Sequence, residues 1–420
     1  MPRLLIIVHV FNPDRGGGGA IFSDLAYGLT ERGFDVTVRC AYPYYPEWQD
    51  KSGRNGLRIE RYEDQGVHVQ RYGIYIPRNP NSLLERLIYE ASFFISLLRS
   101  LPRGKGFDAV MVYCPLVGAV GFAILNKWCY GRPLWLNVQD LSADAAAASG
   151  IARGAAVSRV LKAIQSWCFN QAQVWSSISP VMIARLQQIR RGAQPLLYLP
   201  NWLNQSLAQE IAALPDKSGR PPAVPVKLLY AGNIGTKQDL LRFCQALRQS
   251  SASFAFRIHG DGGQAGAVRA WVESTGDARF TFAGFLEEPA LAQALHEADF
   301  FVITEKSGSG GSFIPCKTIS GLASGTPILA VADAESPLGQ EMEMAAPGPC
   351  FAWNELEKVP ALLAAIHQTP ELFQQWQANA RARAYFYGRD GVIDRFAGAL
   401  RALVTANNQP LEQVLSAYNE

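Results

Sequence analysis

The chain opens on a nearly continuous apolar run, Leu4 to Val10, interrupted only by His9. A run without polar alternation is the pattern of a strand buried on both faces. Four glycines follow, Gly16 to Gly19, and then Ile21, Phe22, Leu25, Ala26 and Leu29 are apolar at helical spacing. Arg32-Gly33-Phe34 supplies a C-cap glycine, and Asp35 to Cys40 predicts the next strand. The opening segment therefore predicts a strand–helix–strand unit, which favours a parallel sheet covered on both faces. Further strands are predicted at Ala109–Tyr113, Leu134–Val138 and Val174–Ile178, with helices at Leu83–Leu101, Leu116–Tyr130, Ala156–Asn170 and Pro180–Gln187.

Between Leu214 and Val226 stand four prolines and a glycine, the composition of a linker. After it the α/β alternation restarts, with strands predicted at Leu228–Ala231, Phe254–His259, Arg279–Ala283, Phe300–Thr304 and Pro327–Val331. From about Pro370 the chain reads as helix. We expect a first domain over 1–210, a linker over 211–226, a second domain over 227–395 and a terminal helix over 396–420. Length agrees, since 420 residues exceed one ordinary core.

Composition narrows the class. Hydrophobic residues make up 48% and charged residues 18%, as in globular proteins. A net charge of +3 is too small for a dedicated nucleic-acid binder. The seven cysteines are scattered with no CxxC pair, which argues against a zinc site or disulfide framework and for reduced thiols in the cytoplasm. The N-terminus shows no signal-peptide pattern, and no run of 18 apolar residues predicts a membrane span.

Candidate chemistry lies in the loops. From Lys227 to Leu241 a short apolar run breaks at Gly232 and Gly235, reaches Lys237 and passes into an amphipathic run. That is a strand feeding a turn and a helix N-terminus, where unpaired N–H groups favour phosphate. His259-Gly260-Asp261-Gly262-Gly263 follows another strand, placing His259 at a strand tip; a plain tight turn is the competing reading. Glu305 to Lys317 leaves a strand as a small, polar, glycine-rich loop, and Lys317 opens the next helix. The Gly16–Gly19 run suits close approach of a ligand to the main chain. It is not GxGxxG, and Val38-Arg39-Cys40 offers no acid to grip a ribose, which argues against a nicotinamide dinucleotide.

Taken in order, these pieces resemble the GT-B glycosyltransferases of family 4, within the bacterial exopolysaccharide and O-antigen group. The matching residues are Gly16–Gly19, Asn137-Val138-Gln139-Asp140, Ser179-Pro180, Pro200-Asn201-Trp202, Tyr230-Ala231-Gly232-Asn233-Ile234-Gly235, His259-Gly260-Asp261-Gly262 and Leu322-Ala323-Ser324-Gly325-Thr326-Pro327. The resemblance implies two Rossmann-like parallel-sheet domains facing a cleft. The first would hold the acceptor, the second a nucleotide sugar, and the last helix would cross back to the first. It implies metal-independent transfer that mostly retains the anomeric configuration, with no cofactor beyond the donor substrate. The family's basic pair after the first strand of the second domain falls on Asn233, where arginine is common, and on or within one position of Lys237. Its two glutamates fall on Ser312 and Ser320, which can hydrogen-bond but carry no carboxylate. Gln139 stands where many members carry a histidine before the aspartate.

We therefore expect Lys237 and Lys317 to neutralise the leaving diphosphate, with Asp140 as the third catalytic candidate. Gly17, Gly18, Asn233, Gly235, His259, Gly260, Ser312 and Ser320 are the expected donor contacts. The acceptor would be a glycan or a lipid-linked saccharide. The helix Leu83–Leu101, apolar at Leu84, Leu87, Ile88, Ala91, Phe94, Ile95 and Leu98 with Arg99, Arg103 and Lys105 at its end, suits peripheral contact with the inner face of the cell membrane. A core helix is the competing reading. Competing functions are a non-catalytic partner that binds nucleotide sugar for another glycosyltransferase, and a nucleotide-sugar epimerase.

Overall fold

The computed structural model describes residues 1–14, 18–80, 82–114, 117–141, 155–308, 314–406 and 410–418. The chain divides into two units, Met1–Pro200 with Asp390–Glu420, and Asn201–Arg389.

The first unit carries an eight-stranded sheet in the order β3-β4-β2-β1-β5-β6-β7-β8. Its strands are β1 (Arg3–Ile7), β2 (Asp35–Ala41), β3 (Glu60–Asp64), β4 (Val67–Tyr72), β5 (Ala109–Cys114), β6 (Leu134–Val138), β7 (Val174–Ser177) and β8 (Leu196–Tyr198). All pair in parallel except β3, which runs antiparallel to β4. The central strands β5, β6 and β7 are buried along their whole length, which is why their sequences lack alternation. β3, β4 and β8 were not expected from the pattern. β3 is a polar edge strand, joined to β4 by Gln65 and Gly66 at φ 49° and 79°.

Asp390–Glu420 belongs to this first unit. Its helix runs Arg389–Thr405, starting earlier than the expected 396. Phe396 stacks on Trp135 at 5.8 Å, and Arg32 bonds the Asp390 carboxylate at 3.2 Å.

The second unit carries a parallel six-stranded sheet in the order β11-β10-β9-β12-β13-β14. The strands are β9 (Val226–Ala231), β10 (Phe254–His259), β11 (Phe280–Ala283), β12 (Phe300–Thr304), β13 (Ile328–Val331) and β14 (Cys350–Phe351). Alternate residues feed two cores. Leu228, Tyr230, Phe300 and Val302 enter one, and Leu229, Ala231, Phe301 and Ile303 the other. Each large apolar side chain so buried contributes roughly 1.5–3 kcal/mol.

The stretch 211–226 is not the free linker its prolines predicted; it lies within the second unit. Lys217 is buried and its ammonium donates to Leu295 O at 2.7 Å and Thr326 Oγ1 at 2.6 Å. The buried Asp299 carboxylate accepts from Ala223 N at 3.1 Å and Lys227 N at 2.8 Å. The prolines set a stiff path, and these polar contacts tie it to the sheet. Among the described residues no helix is long and apolar enough to cross a membrane.

Candidate active site

In the second sheet β9 has β10 on one side and β12 on the other. Connections leave β9 and β12 in opposite directions, so a crevice opens beyond their carboxyl ends, where ligands of open α/β sheets bind. The three loops singled out in the sequence follow β9, β10 and β12.

The loops after β9 and β10 are joined through their backbones. Gly232 N donates to His259 O at 3.0 Å, Ile234 N to Asp261 O at 2.8 Å and Gln264 N to Ile234 O at 2.9 Å. A Cβ on Gly260 would stand 1.9 Å from Gly232 O, so glycine is obligatory there. Asn233 is exposed, and its amide lies 3.4 Å from Gln238 Oε1. The Gly235 N–H, expected to meet phosphate, is engaged by Gln238 Oε1 at 2.9 Å. His259 lies at the strand tip with Nδ1 3.3 Å from Gly284 O. Burial lowers its pKa, the Gly284 contact opposes this, and Arg257 adds to the lowering.

Lys237 is exposed in the turn between Gly235 and Leu240. The helix it was expected to open begins three residues later, at Leu240. The carbonyl of Lys237 accepts from Lys306 N at 2.7 Å, which fastens the loop after β12 to the loop after β9. Lys306 thus joins the site, and pattern reading passed over it because it sits in an irregular segment.

Lys317 is the most constrained cation here. It stands in the first turn of the helix Cys316–Ala323. Its ammonium donates to Tyr230 Oη at 2.8 Å and lies 4.0 Å from that ring's centroid. Tyr230 Oη in turn donates to Asn233 O at 2.6 Å. A Cβ on Gly232 would lie 3.7 Å from Lys317 Nζ, so the ammonium lies beside the end of β9. Among the described residues it has no carboxylate partner, and burial pushes its pKa down to about 7. The sequence placed Tyr230 in the strand and in the matching motif, but the contact of its phenol with Lys317 became visible only once β9 was folded beside this helix. Ser320 lies one turn further along the same helix, half-buried. Ser312 lies outside the described residues, as does Gly17.

The first unit holds the remaining candidates. Gly18 has φ 88°, and a Cβ there would meet the Phe22 ring at 2.6 Å. Asp140 follows β6, and its Oδ1 accepts from Leu141 N at 2.8 Å. Before it, Gln139 Nε2 donates to Asn137 Oδ1 at 2.8 Å, and Asn137 Nδ2 to Ser176 Oγ at 3.0 Å. Two titratable groups escaped the sequence reading. Burial, with help from Arg86, pushes His9 down to about 4. Burial pushes Glu90 up to about 8 although its Oε2 accepts from Gly118 N at 2.7 Å. The signal for His9 was its place in an otherwise apolar run; Glu90 gave none. Asp140 and Gly18 lie in the first unit, and Lys237, Lys317, Asn233, Gly235, His259, Gly260 and Ser320 in the second. Among the described residues no group of His, Cys, Asp and Glu could hold a metal ion.

Two α/β units built on mainly parallel sheets give the chain the GT-B fold. Residues 16–202 match the glycosyl transferase 4-like domain and residues 225–348 the glycosyl transferases group 1 domain, so the chain belongs to the glycosyltransferases. The putative colanic acid biosynthesis glycosyl transferase WcaI of Escherichia coli (strain K12) is 29% identical over 414 residues, covering 95% of this chain and 100% of that protein. Sucrose-phosphate synthase from Thermosynechococcus elongatus has a similar fold, with TM-score 0.69 at 14% identity over 97% of this chain and 100% of that one. Anabaena HepE, solved in complex with UDP, has TM-score 0.67 at 15% identity over 96% and 100%.

Proposed function

We propose that this glycosyltransferase moves a sugar from a nucleoside-diphosphate sugar to a glycan or lipid-linked acceptor, retaining the anomeric configuration without a metal. The observation that carries the donor assignment is Lys317, a half-buried ammonium at the carboxyl end of β9 with no carboxylate partner among the described residues. A cation so placed favours a bound anion. Lys237 and Lys306 stand on the adjoining loops. The HepE relative was solved with UDP and with UDP-glucose, which supports a uridine donor as the first to test. WcaI is named for colanic acid biosynthesis, which supports an exopolysaccharide acceptor.

In the proposed step the bond between the anomeric carbon and the diphosphate oxygen breaks. Lys317 and Lys237 stabilise the charge that develops on the departing diphosphate. The acceptor hydroxyl forms the new glycosidic bond on the same face, and its proton passes to a departing phosphate oxygen. This route needs no paired carboxylates, which accommodates Ser320 and Ser312 at the glutamate positions. Within the second unit His259 and Gly260 are the proposed nucleotide contacts, and Asp140 of the first unit is the proposed acceptor contact.

The helix Leu83–Leu98 supports an acceptor held at a membrane. Tyr89, Phe93 and Leu97 are buried, while Leu84, Leu87, Ile88 and Ile95 are exposed, Leu84 to 68%. The apolar residues are therefore on both sides of the helix, not only toward the core. The test is transfer from radiolabelled nucleotide sugars to a lipid-linked acceptor pool by purified protein. Sugar transfer that falls with Lys317→Met supports the assignment. Tight donor binding with no transfer to any acceptor would instead favour the non-catalytic reading that the two serines suggest.

A further inference from the structure

The helices Leu83–Leu98, Val117–Tyr130 and Ala155–Phe169 follow β4, β5 and β6 and lead to β5, β6 and β7. These connections all step the same way across the sheet, so right-handed crossovers place the three helices on one face. Contacts between neighbours agree. Glu90 of the first bonds Gly118 of the second, and the rings of Trp128 and Trp167 meet edge-on at 6.0 Å between the second and third. Trp128 is 59% exposed and Trp167 48%. Val160 and Ile164 are exposed too, and with Trp167 they follow helical spacing along one stripe.

We propose that this helical layer is a docking face for an anionic lipid bilayer, with the Trp128–Trp167 pair seated at the headgroup level. The inference deepens the membrane-side reading of the acceptor and rests on it. Four large apolar side chains, Trp128, Val160, Ile164 and Trp167, are thus exposed together on two neighbouring helices, and clustered exposed apolar groups mark interaction surfaces. The surrounding charge selects the occupant. Val117–Tyr130 and Ala155–Phe169 contain no acidic residue. The two carboxylates on Leu83–Leu98 are turned to backbone N–H groups, Glu85 to Arg78 and Asn79 and Glu90 to Gly118. Arg159 and Lys162 are exposed on the third helix, and Arg99, Arg103 and Lys105 are exposed beyond the first. Basic residues around an apolar stripe match an anionic membrane surface. A second copy of the chain would bring the same cations against each other across a two-fold axis. Tryptophan pairs suit the headgroup region, with an apolar ring body and a polar N–H.

The test uses the full chain with vesicles of phosphatidylcholine, with and without phosphatidylglycerol, in flotation and in quenching of tryptophan fluorescence by brominated lipid. The expected result is salt-sensitive binding to the anionic vesicles with quenching. Trp128→Ser with Trp167→Ser, and separately Val160→Ser with Ile164→Ser, should each weaken partitioning about tenfold or more. Both pairs should leave affinity for a soluble nucleotide sugar unchanged. Unaltered partitioning in both double variants overturns the proposal, as does a concentration-dependent dimer that the same substitutions abolish. If only Leu84→Ser with Ile88→Ser releases the protein, contact is confined to the first helix and this proposal fails while that reading stands. Vesicle binding without affinity for any nucleotide sugar would instead defeat the donor assignment.

Discussion

Lys317→Met removes one charge while keeping most of the side-chain volume, and its effect can be worked out in advance. Burial pushes the Lys317 pKa down to about 7, so the neutral amine gains ground as pH rises above 7. A bound diphosphate would favour the ammonium, so binding above pH 7 must take up a proton. Donor affinity should then fall with a slope approaching tenfold per pH unit, or about 1.6 kcal/mol between pH 7 and 8.5. At pH 6.5, where the ammonium predominates, Lys317→Met should lose about 1.5–3 kcal/mol, the range for a hydrogen bond to a charged group. Above that pH the variant's affinity should be flat. The assay is titration calorimetry with intact UDP-glucose from pH 6.5 to 8.5, in two buffers of different ionisation heat to count protons. An intact nucleotide sugar is required, because a terminal phosphate titrates near about pH 6. A wild-type affinity that ignores pH with no proton uptake would refute the reasoning, as would a variant that keeps the slope.

Lys237→Ala should lower turnover about 100- to 1000-fold, the scale for one positioned transition-state donor, and initial rates that match wild type would remove it from the site. Gly260→Ala should destabilise the second unit by about 3 kcal/mol or more, because its Cβ would stand 1.9 Å from Gly232 O; a thermal midpoint equal to wild type would show that the two loops are not so close. Burial pushes Lys217 down to about 7, below its unfolded value. The unfolded chain therefore binds more protons above pH 7, and stability should rise with pH by up to about 1.4 kcal/mol per unit from pH 7 to about 10, and be flat in this term below pH 7. Lys217→Met should remove that slope in urea unfolding at pH 7 and 9; an identical slope in wild type and variant would refute it.

Much of the fold was legible because long buried strands carry their own signature. Leu134–Val138, Phe254–His259 and Phe300–Thr304 were predicted with the boundaries observed. The strands that escaped are short or polar, such as Glu60–Asp64 at the sheet edge and the two-residue Cys350–Phe351. Their pairing depends on a neighbour strand more than on their own side chains. The prolines of 211–226 misled for a related reason. Proline composition reports a stiff path, while Lys217, reaching Leu295 and Thr326, decides whether that path is packed.

By itself the sequence determined the alternation of strand and helix, the two sheets, and the loops that carry glycines and lysines, because these follow from local periodicity and backbone freedom. Tertiary structure decided what each lysine does. Lys217 and Lys317 look alike in sequence, yet one caps carbonyls inside the second unit and the other lies over Tyr230 without a carboxylate partner among the described residues. Folding also decided which apolar helical residues face water, since a stripe such as Val160, Ile164 and Trp167 reads as core until its neighbours are in place. The physical reason is common to both. Burial and charge pairing depend on residues far apart in the chain, and only the packed sheet and its helices bring those residues together.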